Sequence, residues 1–402
     1  MTNEIKNVPE LRFPEFEDEW KQKRLGEVAE IIGGGTPSTS NPQYWGGDIN
    51  WYSPIEIGEN IYLNESKNKI TKMGLKKSSA KILPIGSVLF TSRAGIGNTA
   101  ILKKEAATNQ GFKSIVPKDN KLDTYFIFSR TNELKKYGEI NGAGSTFVEV
   151  SGKEMEKMPM LFPEISEQQK IGNFFSKLDR QIELEEQKLE KLEEQKKGYM
   201  QQIFSQELRF KDENGNDYPT WKKTTIKEVA KLTVGKSKKN ENTGKYIIMD
   251  MGTVTKNGTM LTHKSTPHEN DLLNKGDLVM PKDDIGGGHI IGKTVFIPES
   301  QKYVLGDHVY RLETKKCNGL FLHFYINSDI VNRSLKRKVT GSAQLGLNRK
   351  SVEEELVKVP YLEEQEKIGA FFSKLDTFIE KQLSKIELLK ERKKGFLQKM
   401  FV

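Results

Sequence analysis

Cysteine is all but missing from this sequence: Cys317 is the one copy in 402 residues. A single thiol excludes an internal disulfide framework and any zinc site built on a cysteine cluster. Histidine is scarce as well, with five copies. The closest pair, His263 and His268, has no acidic ligand set beside it, so a histidine metal centre is not expected. No apolar run is long enough to span a bilayer. The first residues, Met1-Thr2-Asn3-Glu4-Ile5-Lys6, lack the apolar core of a secretory signal. A cytoplasmic protein without membrane contact is expected. Catalytic constellations are also wanting: no paired carboxylates at working spacing, no Ser-His-Asp or Cys-His set, no Asn/Asp-Pro-Pro-aromatic tetrapeptide and no nuclease signature. The chain reads as a non-enzyme.

What is present is charge. Lys and Arg number 64 against 55 Asp and Glu, a net charge of +9 and a pI near 9.1. Spread over this length the excess is mild, but it favours a polyanionic partner. Hydrophobic residues make up 35% and charged residues 30%. The length allows two to three domains with real cores.

Most of the organisation comes from a stretch that occurs twice. One copy runs from Pro163 through Glu167-Gln168-Gln169-Lys170-Ile171-Gly172-Asn173-Phe174-Phe175-Ser176-Lys177-Leu178-Asp179 to Lys196-Lys197-Gly198-Tyr199 and Phe204. The other runs from Pro360 through Glu364-Gln365-Glu366-Lys367-Ile368-Gly369-Ala370-Phe371-Phe372-Ser373-Lys374-Leu375-Asp376 to Lys393-Lys394-Gly395-Phe396 and Phe401. One fixed spacing aligns them without a gap. Proline opens each copy and acidic residues crowd its first turn, as suits a helix N-terminus. Large apolar residues then alternate at steps of three and four: Phe175, Leu178, Ile182, Leu189, Leu192, Tyr199 and Ile203 in one copy, Phe372, Leu375, Ile379, Ile386, Leu389, Phe396 and Met400 in the other. That is a heptad seam. Glu185 with Gln382, and Lys196 with Lys393, are polar seam positions in both copies, of the kind that fix register. About 38 residues of helix make a rod of roughly 57 Å, too long for the inside of one small domain. The two helices are expected to pack on each other and hold two domains apart.

The repeat extends further. Glu10-Leu11-Arg12-Phe13, Trp20 and Leu25-Gly26-Glu27-Val28-Ala29 reappear as Glu207-Leu208-Arg209-Phe210, Trp221 and Ile226-Lys227-Glu228-Val229-Ala230. The second copy holds four more residues, within Asp212-Glu213-Asn214-Gly215-Asn216, which reads as a turn. The tryptophans read as packing anchors. Between these landmarks the halves diverge. Ser87–Phe90, Thr99–Leu102, Lys113–Val116, Asp277–Met280, Thr294–Ile297 and Val309–Leu312 read as strands. Asp123 to Tyr137 and Leu320 to Lys336 read as helix. Each half is thus a mixed, strand-rich domain followed by a long helix, and the two halves look like one fold used twice. The implied domains are 1–162, 163–205, 206–359 and 360–402.

This layout resembles the specificity subunit (HsdS) of type I restriction-modification systems, over the whole chain. The likeness rests on Glu-Gln-x-Lys-Ile-Gly-x-Phe-Phe-Ser-Lys-Leu-Asp and Lys-Lys-Gly-aromatic, at the same place in both halves. It implies an α+β fold: two strand-rich mixed α/β target-recognition domains separated by two long helices that form an antiparallel coiled coil, with pseudo-two-fold internal symmetry. It implies a partner set of double-stranded DNA, two methyltransferase subunits and motor-nuclease subunits. S-adenosylmethionine and ATP with magnesium would then belong to those partners, and no cofactor to this chain. Two similar but non-identical domains suit a bipartite, asymmetric site. A phosphate-loop NTPase and a coiled-coil scaffold without DNA binding are the competing classes.

Candidate DNA contacts follow from residue chemistry. Gly33-Gly34-Gly35-Thr36-Pro37-Ser38-Thr39-Ser40 offers backbone N–H groups and the hydroxyls of Thr36, Ser38 and Thr39 to phosphates. Its counterpart carries Lys236, Ser237 and Lys238. Arg93 and Asn98, in a loop between two expected strands, suit guanine and adenine edges, although Arg93 could equally pair with a carboxylate of its own domain. Lys282 is the counterpart, and the following Asp283-Asp284 could accept from cytosine. Ser342, Gln344, Asn348, Arg349 and Lys350 form a polar run before the last helix, equally readable as a solvated helix entry. Tyr44, Trp45, Trp51 and Tyr52 read as packing residues. Gly287-Gly288-His289-Ile290-Ile291-Gly292-Lys293-Thr294 fits the phosphate-loop pattern, but Val295-Phe296-Ile297-Pro298 after it reads as strand where that loop needs a helix. Lys293 is kept as a DNA-contact candidate.

Overall fold

The two copies of the repeated stretch are two long helices, Ile165–Ser205 and Leu362–Lys399. The computed structural model of the full chain describes residues 7–93, 95–143, 148–241, 244–341 and 344–402. Ser342 lies outside the described residues. Contacts divide the chain into two compact units, Met1–Glu185 with Lys385–Val402, and Glu186–Ser384. The division falls inside both long helices.

Within the first unit, among the described residues, a five-stranded sheet runs Ala29–Gly33, Lys113–Pro117, Val88–Phe90, Thr99–Leu102 and Tyr62–Leu63 in spatial order. A three-stranded sheet runs Asn68–Ile70, Trp45–Tyr52 and Ala106–Thr108, with the last pair parallel. A two-stranded ribbon pairs Lys21–Arg24 with Pro159–Phe162. The second unit repeats the plan. Its larger sheet runs Ala230–Val234, Val309–Thr314, Leu278–Pro281 and Val295–Phe296. Its three-stranded sheet runs Ser265–Thr266, Tyr246–Met249 and Tyr303–Leu305, again with the last pair parallel. Lys222–Thr225 pairs with Leu356–Val359. Order and direction agree between the units, so one fold is used twice.

The expected helices each break in two. Thr124–Ser129 and Thr131–Asn141 meet at Arg130, and Gly319–Asn327 and Asp329–Lys336 meet at Ser328. Arg130 is buried, with its guanidinium on Glu133 and on the Leu161 carbonyl. The distant Leu161 carbonyl, with Glu133 beside it, holds the Arg130 break against local helix propensity. Trp20 and Trp221 are buried in the two cores. Trp51 and Tyr52 are buried as well, and Trp45 meets Trp51 edge-on at 5.1 Å. The Asp212 cluster is a turn: its carboxylate accepts from the N–H groups of Asn214 and Asn216 at 2.9 and 2.8 Å.

The repeated motif has one physical reading in both units. Glu167 takes a two-point ion pair from Arg12, both at 2.8 Å, and Glu364 takes one from Arg209 at 3.1 and 2.7 Å. Gln168 accepts from the Asp123 N–H and donates to the Pro163 carbonyl, while Gln365 accepts from the Asn318 N–H and donates to the Pro360 carbonyl. Asp123 and Asn318 are themselves the N-caps of the short helices that follow, accepting from Phe126 at 2.8 Å and Phe321 at 3.0 Å. A glycine at 172 and 369 lets those capped ends lie against the long helix. Phe175 and Phe372 are fully buried one turn further on. Each such ring contributes roughly 1.5–3 kcal/mol by leaving water.

The seam is seen in each unit separately. In the first, Asp179 pairs with Lys393 at 2.5 Å and Glu185 with Lys385 at 2.5 Å. Rising numbers meet falling numbers, so the two segments run antiparallel. Phe175 and Ile182 are buried there with Ile386 and Leu389; Leu178 and Phe396 are half-buried. In the second unit Lys196 pairs with Asp376 and Phe204 stacks on Phe372 with centroids 5.7 Å apart. Leu189, Leu192, Leu375 and Ile379 are half-buried. Tyr199 departs from the expected seam. It is exposed and touches Phe371 edge-on, while Met200 packs inward. A helix of 3.6 residues per turn drifts against a 3.5-residue repeat, and by this point the inward position has moved on by one residue. The polar seam residues Lys196 and Lys393 answer the Asp that closes the motif on the facing segment, and Gln382 is buried.

Candidate nucleic-acid interface

In the first unit four loops meet at the ends of the sheets. The glycine-rich loop after Ala29–Gly33 is tied back by Gly35 N–H to the Thr108 carbonyl at 2.8 Å. Thr36 is exposed, and its hydroxyl donates to Gln110 Oε1 at 2.5 Å. The exposed hydroxyls of Ser38 and Ser40 lie 2.8 Å apart, and Thr39 is exposed between them. The loop after Val88–Phe90 carries Arg93, whose Nη1 is 4.0 Å from Glu149. Glu149 is shared with Lys113, 2.9 Å away. Arg93, Lys113 and Glu149 come from three segments far apart in sequence, and only the sheet brings them together. The carboxylate holds two cations on a part-exposed rim, where they can donate to phosphate or to a guanine edge. Asn98 is exposed but is not in this group. It borders a groove with Ser129, Thr131 and Lys393.

The second unit builds its rim from the corresponding loops. Lys236 and Ser237 are exposed. They line a cleft with His268 and Asn270. Lys238 is not available there: its side chain is only 7% exposed and its ammonium sits 2.6 Å from Asp271. Its charge is spent on holding the loop, so Lys236 and Lys239 are the cations left for phosphate. Lys239 leans on Glu241 at 3.4 Å with its side chain 80% exposed.

A second group forms where Asp283–Asp284 pairs with Leu345–Gly346. That short ladder carries Gln344 to the Lys282 loop, and Leu347 N–H donates to the Lys282 carbonyl at 2.8 Å. Asp283 Oδ2 accepts from His308 Nδ1 at 2.7 Å and lies 3.6 Å from Lys282 Nζ. Lys282, Asp283, His308 and Gln344 therefore present donors and acceptors on one surface. The sequence reading missed His308, because nothing local distinguishes it; its pairing with Asp283 is a tertiary fact. Asp284 is a correction. It is 3% exposed and both its oxygens are taken by the N–H groups of Gly286 and Ile290, so it has no free acceptor for cytosine. Arg349 is exposed at the start of the helix Arg349–Glu353 and pairs with Glu353 at 2.7 Å, and Asn348 caps that helix.

Lys293 is also corrected. Its ammonium donates to the Asn327 carbonyl at 3.1 Å, and burial holds its pKa below the ordinary lysine value. Thr294 is fully buried, bonded to His323. Strand Val295–Phe296 follows, so no helix N-terminus faces the loop. The phosphate-loop pattern is therefore a coincidence of composition, and the Lys293 ammonium is engaged by its own domain. Cys317 is buried, with its thiol pushed up to about 12, which makes it an inert packing residue. Among the described residues no group of His, Cys, Asp and Glu is placed to hold a metal ion, and no helix is long and apolar enough to cross a membrane.

The family model described as "Type I restriction modification DNA specificity domain" matches residues 17–194 and again 218–388. Over 178 residues the chain is 38% identical to the type I restriction enzyme MjaIX specificity subunit of Methanocaldococcus jannaschii, covering 44% of this chain and 41% of that protein. It is 32% identical over 177 residues to the EcoR124I/EcoR124II specificity subunit of Escherichia coli, covering 42% and 43%. These two matches span less than half of each relative. A longer match, 23% identical over 97% of this chain and 93% of the relative, is to the MjaVIII specificity subunit of M. jannaschii. In fold, the chain is similar to the crystal structure of a type I restriction-modification S subunit from M. genitalium, with a TM-score of 0.64, 16% identity and coverage of 98% and 99%.

Proposed function

We propose a function from one premise: this chain belongs to the type I restriction modification DNA specificity family, whose model it matches twice. Its role is to read a two-part, asymmetric sequence in double-stranded DNA. It does so on behalf of a complex containing two methyltransferase subunits and, for restriction, motor-nuclease subunits. Residues 1–162 and 206–359 act as the two recognition domains, and 163–205 and 360–402 as the helical spacer on which partners dock. The chain itself is non-catalytic and works in the cytoplasm. S-adenosylmethionine, ATP and magnesium act on the partner subunits.

The observation that carries this reading is that one strand order is built twice with two different rims. One presents Thr36, Arg93, Lys113 and Gln110; the other presents Lys236, Lys282, Asp283, His308 and Gln344. A shared scaffold with unlike polar edges suits two unlike half-sites, since backbone contacts position a protein on the duplex and base-edge contacts specify sequence.

Exchange of residues 30–160 for the block of a related protein tests it. With the partner methyltransferase present, methylation mapping in cells lacking other systems should show one half-site changed and the other kept. Alteration of both half-sites would refute the division into two independent readers.

A further inference from the structure

Among the described residues the two most exposed large apolar side chains are Ile55, 87% exposed, and Ile285, 70% exposed. Single exposed isoleucines are ordinary on protein surfaces. These two share three further features. Each belongs to a different unit. Each rides on a turn braced by a single carboxylate. Glu56 accepts from the N–H and the hydroxyl of Ser53 on one oxygen, both at 2.9 Å, and from Lys67 N–H at 2.8 Å on the other. Asp284 accepts from Gly286 at 2.6 Å and from Ile290 at 3.0 Å. Each turn also adjoins the basic rim. A Cβ on Gly111 would lie 3.1 Å from the Pro54 ring and 3.5 Å from Arg93 Nε, so the Ile55 turn and Arg93 are neighbours. Ile285 lies two residues beyond Asp283, which accepts from His308 and pairs with Lys282.

We propose that Ile55 and Ile285 are apolar base readers, one for each half-site, each resting its branched side chain on the 5-methyl group of a thymine in the major groove. This rests on the DNA-reading role proposed above. The thymine methyl is the apolar feature of the major-groove edge, and apolar side chains are its natural partner. A β-branched side chain has few rotamers to lose. The braced turn is ordered before DNA arrives, so contact adds little ordering cost. The polar residues beside each isoleucine anchor the backbone and neighbouring base edges, which leaves the methyl to be read by the one apolar tip.

The test uses the full chain co-purified with its methyltransferase partner, and duplexes carrying the site found by methylation mapping. Each thymine is replaced in turn by deoxyuridine, which removes the methyl alone, and affinity is read by fluorescence anisotropy. The wild type should lose roughly fourfold in affinity at one thymine of each half-site, the size of one buried methyl group. Ile55→Ala should bind thymine and deoxyuridine alike at one of these positions, and Ile285→Ala at the other. Ile55→Val and Ile285→Val should keep most of the discrimination. Thermal unfolding of the variants should match the wild type, because the side chains removed are exposed. A wild type indifferent to every replacement, an alanine variant that discriminates as the wild type does, or a half-site without thymine on either strand overturns the assignment for that residue. A wild-type complex with no preference for its mapped duplex over a scrambled one overturns the DNA-reading role itself, and this assignment with it.

Discussion

Gly172 and Gly369 occupy the same place in the two copies of the motif, each against a helix cap, but the cap lies much closer to Gly172. A Cβ on Gly172 would lie 2.2 Å from Asp123 Oδ1, the atom that caps the next helix. A Cβ on Gly369 would meet Leu320 and Phe321 at 3.2 Å and the cap oxygen Asn318 Oδ1 at 3.3 Å, which an adjustment of a few tenths of an ångström relieves. Gly172→Ala must displace the cap, and loss of a cap costs about 1 kcal/mol. It should therefore destabilise by about 1–2 kcal/mol more than Gly369→Ala in urea unfolding. His323 gives a pH-dependent counterpart. It is buried, with Nδ1 3.2 Å from the Thr294 hydroxyl. Burial, helped by the positive charges of Lys196 and Lys293, pushes its pKa down to about 3. The unfolded chain takes up a proton at this residue near the ordinary value of 6.5 while the folded chain does not. Stability should fall as pH drops from 6.5 toward 3, by roughly 1.4 kcal/mol per pH unit from this group. Unfolding of His323→Gln measured across that range should lack this share of the slope.

At the scale of elements, the motif's closing aspartate and the Lys-Lys-Gly lysine are ion-pair partners across antiparallel segments. The two pairs differ in exposure. Asp179 has its side chain 8% exposed, pairs with Lys393 and accepts from the Tyr125 hydroxyl at 2.7 Å, whereas Asp376 is 34% exposed beside Lys196. Removing a cation from a buried carboxylate leaves an uncompensated charge, and removing one from an exposed carboxylate leaves it to water. Lys393→Met should cost about 2 kcal/mol, and Lys196→Met within about 1 kcal/mol. Adding Asp179→Asn to Lys393→Met should recover most of the loss, because the amide keeps an acceptor for Tyr125. Thermal unfolding of the wild type, Lys393→Met, Asp179→Asn and the double variant measures this coupling. An unchanged double variant would mean that the aspartate stabilises through Tyr125 alone.

At the scale of the whole molecule, each reader is followed in the chain by a long helix, Ile165–Ser205 and Leu362–Lys399, and on the role proposed above the length of these helices should set the gap between half-sites. Four helix-forming residues added beside Glu185 and four beside Lys385, which face one another, lengthen each helix by about 6 Å. Four residues are a little over one turn, so the seam stays roughly in phase. Base pairs stack at about 3.4 Å, so the unread spacer should grow by one or two base pairs while the bases read in each half stay the same. Methylation mapping of the insertion variant checks this. An active variant with the original spacer would move the measure of distance from the helices to the methyltransferase partners.

The repeat, both long helices, the strand-rich halves and the buried tryptophans were legible in the amino-acid order, because hydrophobic period, proline placement and internal identity are local signals. So was the false phosphate loop, since Val295-Phe296-Ile297-Pro298 is strand-like on its face. The breaks at Arg130 and Ser328 were not legible. A buried Arg130 held by Glu133 and by the Leu161 carbonyl overrides a helical pattern that runs through it. The rims were the least legible part. Lys238, Lys282 and Lys293 look alike in sequence, yet one is neutralised by Asp271, one stands beside Asp283, and one turns inward to Asn327. Whether a lysine is free to meet a phosphate depends on which carboxylate or carbonyl the sheet brings to it. By itself the sequence determined the repeat, the two long helices and the strand-rich character of each half, while strands such as Trp45–Tyr52 and Asn68–Ile70 went unread. Tertiary structure decided which charges were spent on the fold and which were left for a ligand, because Asp271 and Asn327 lie more than thirty residues from Lys238 and Lys293 and only packing of the sheets sets those distances.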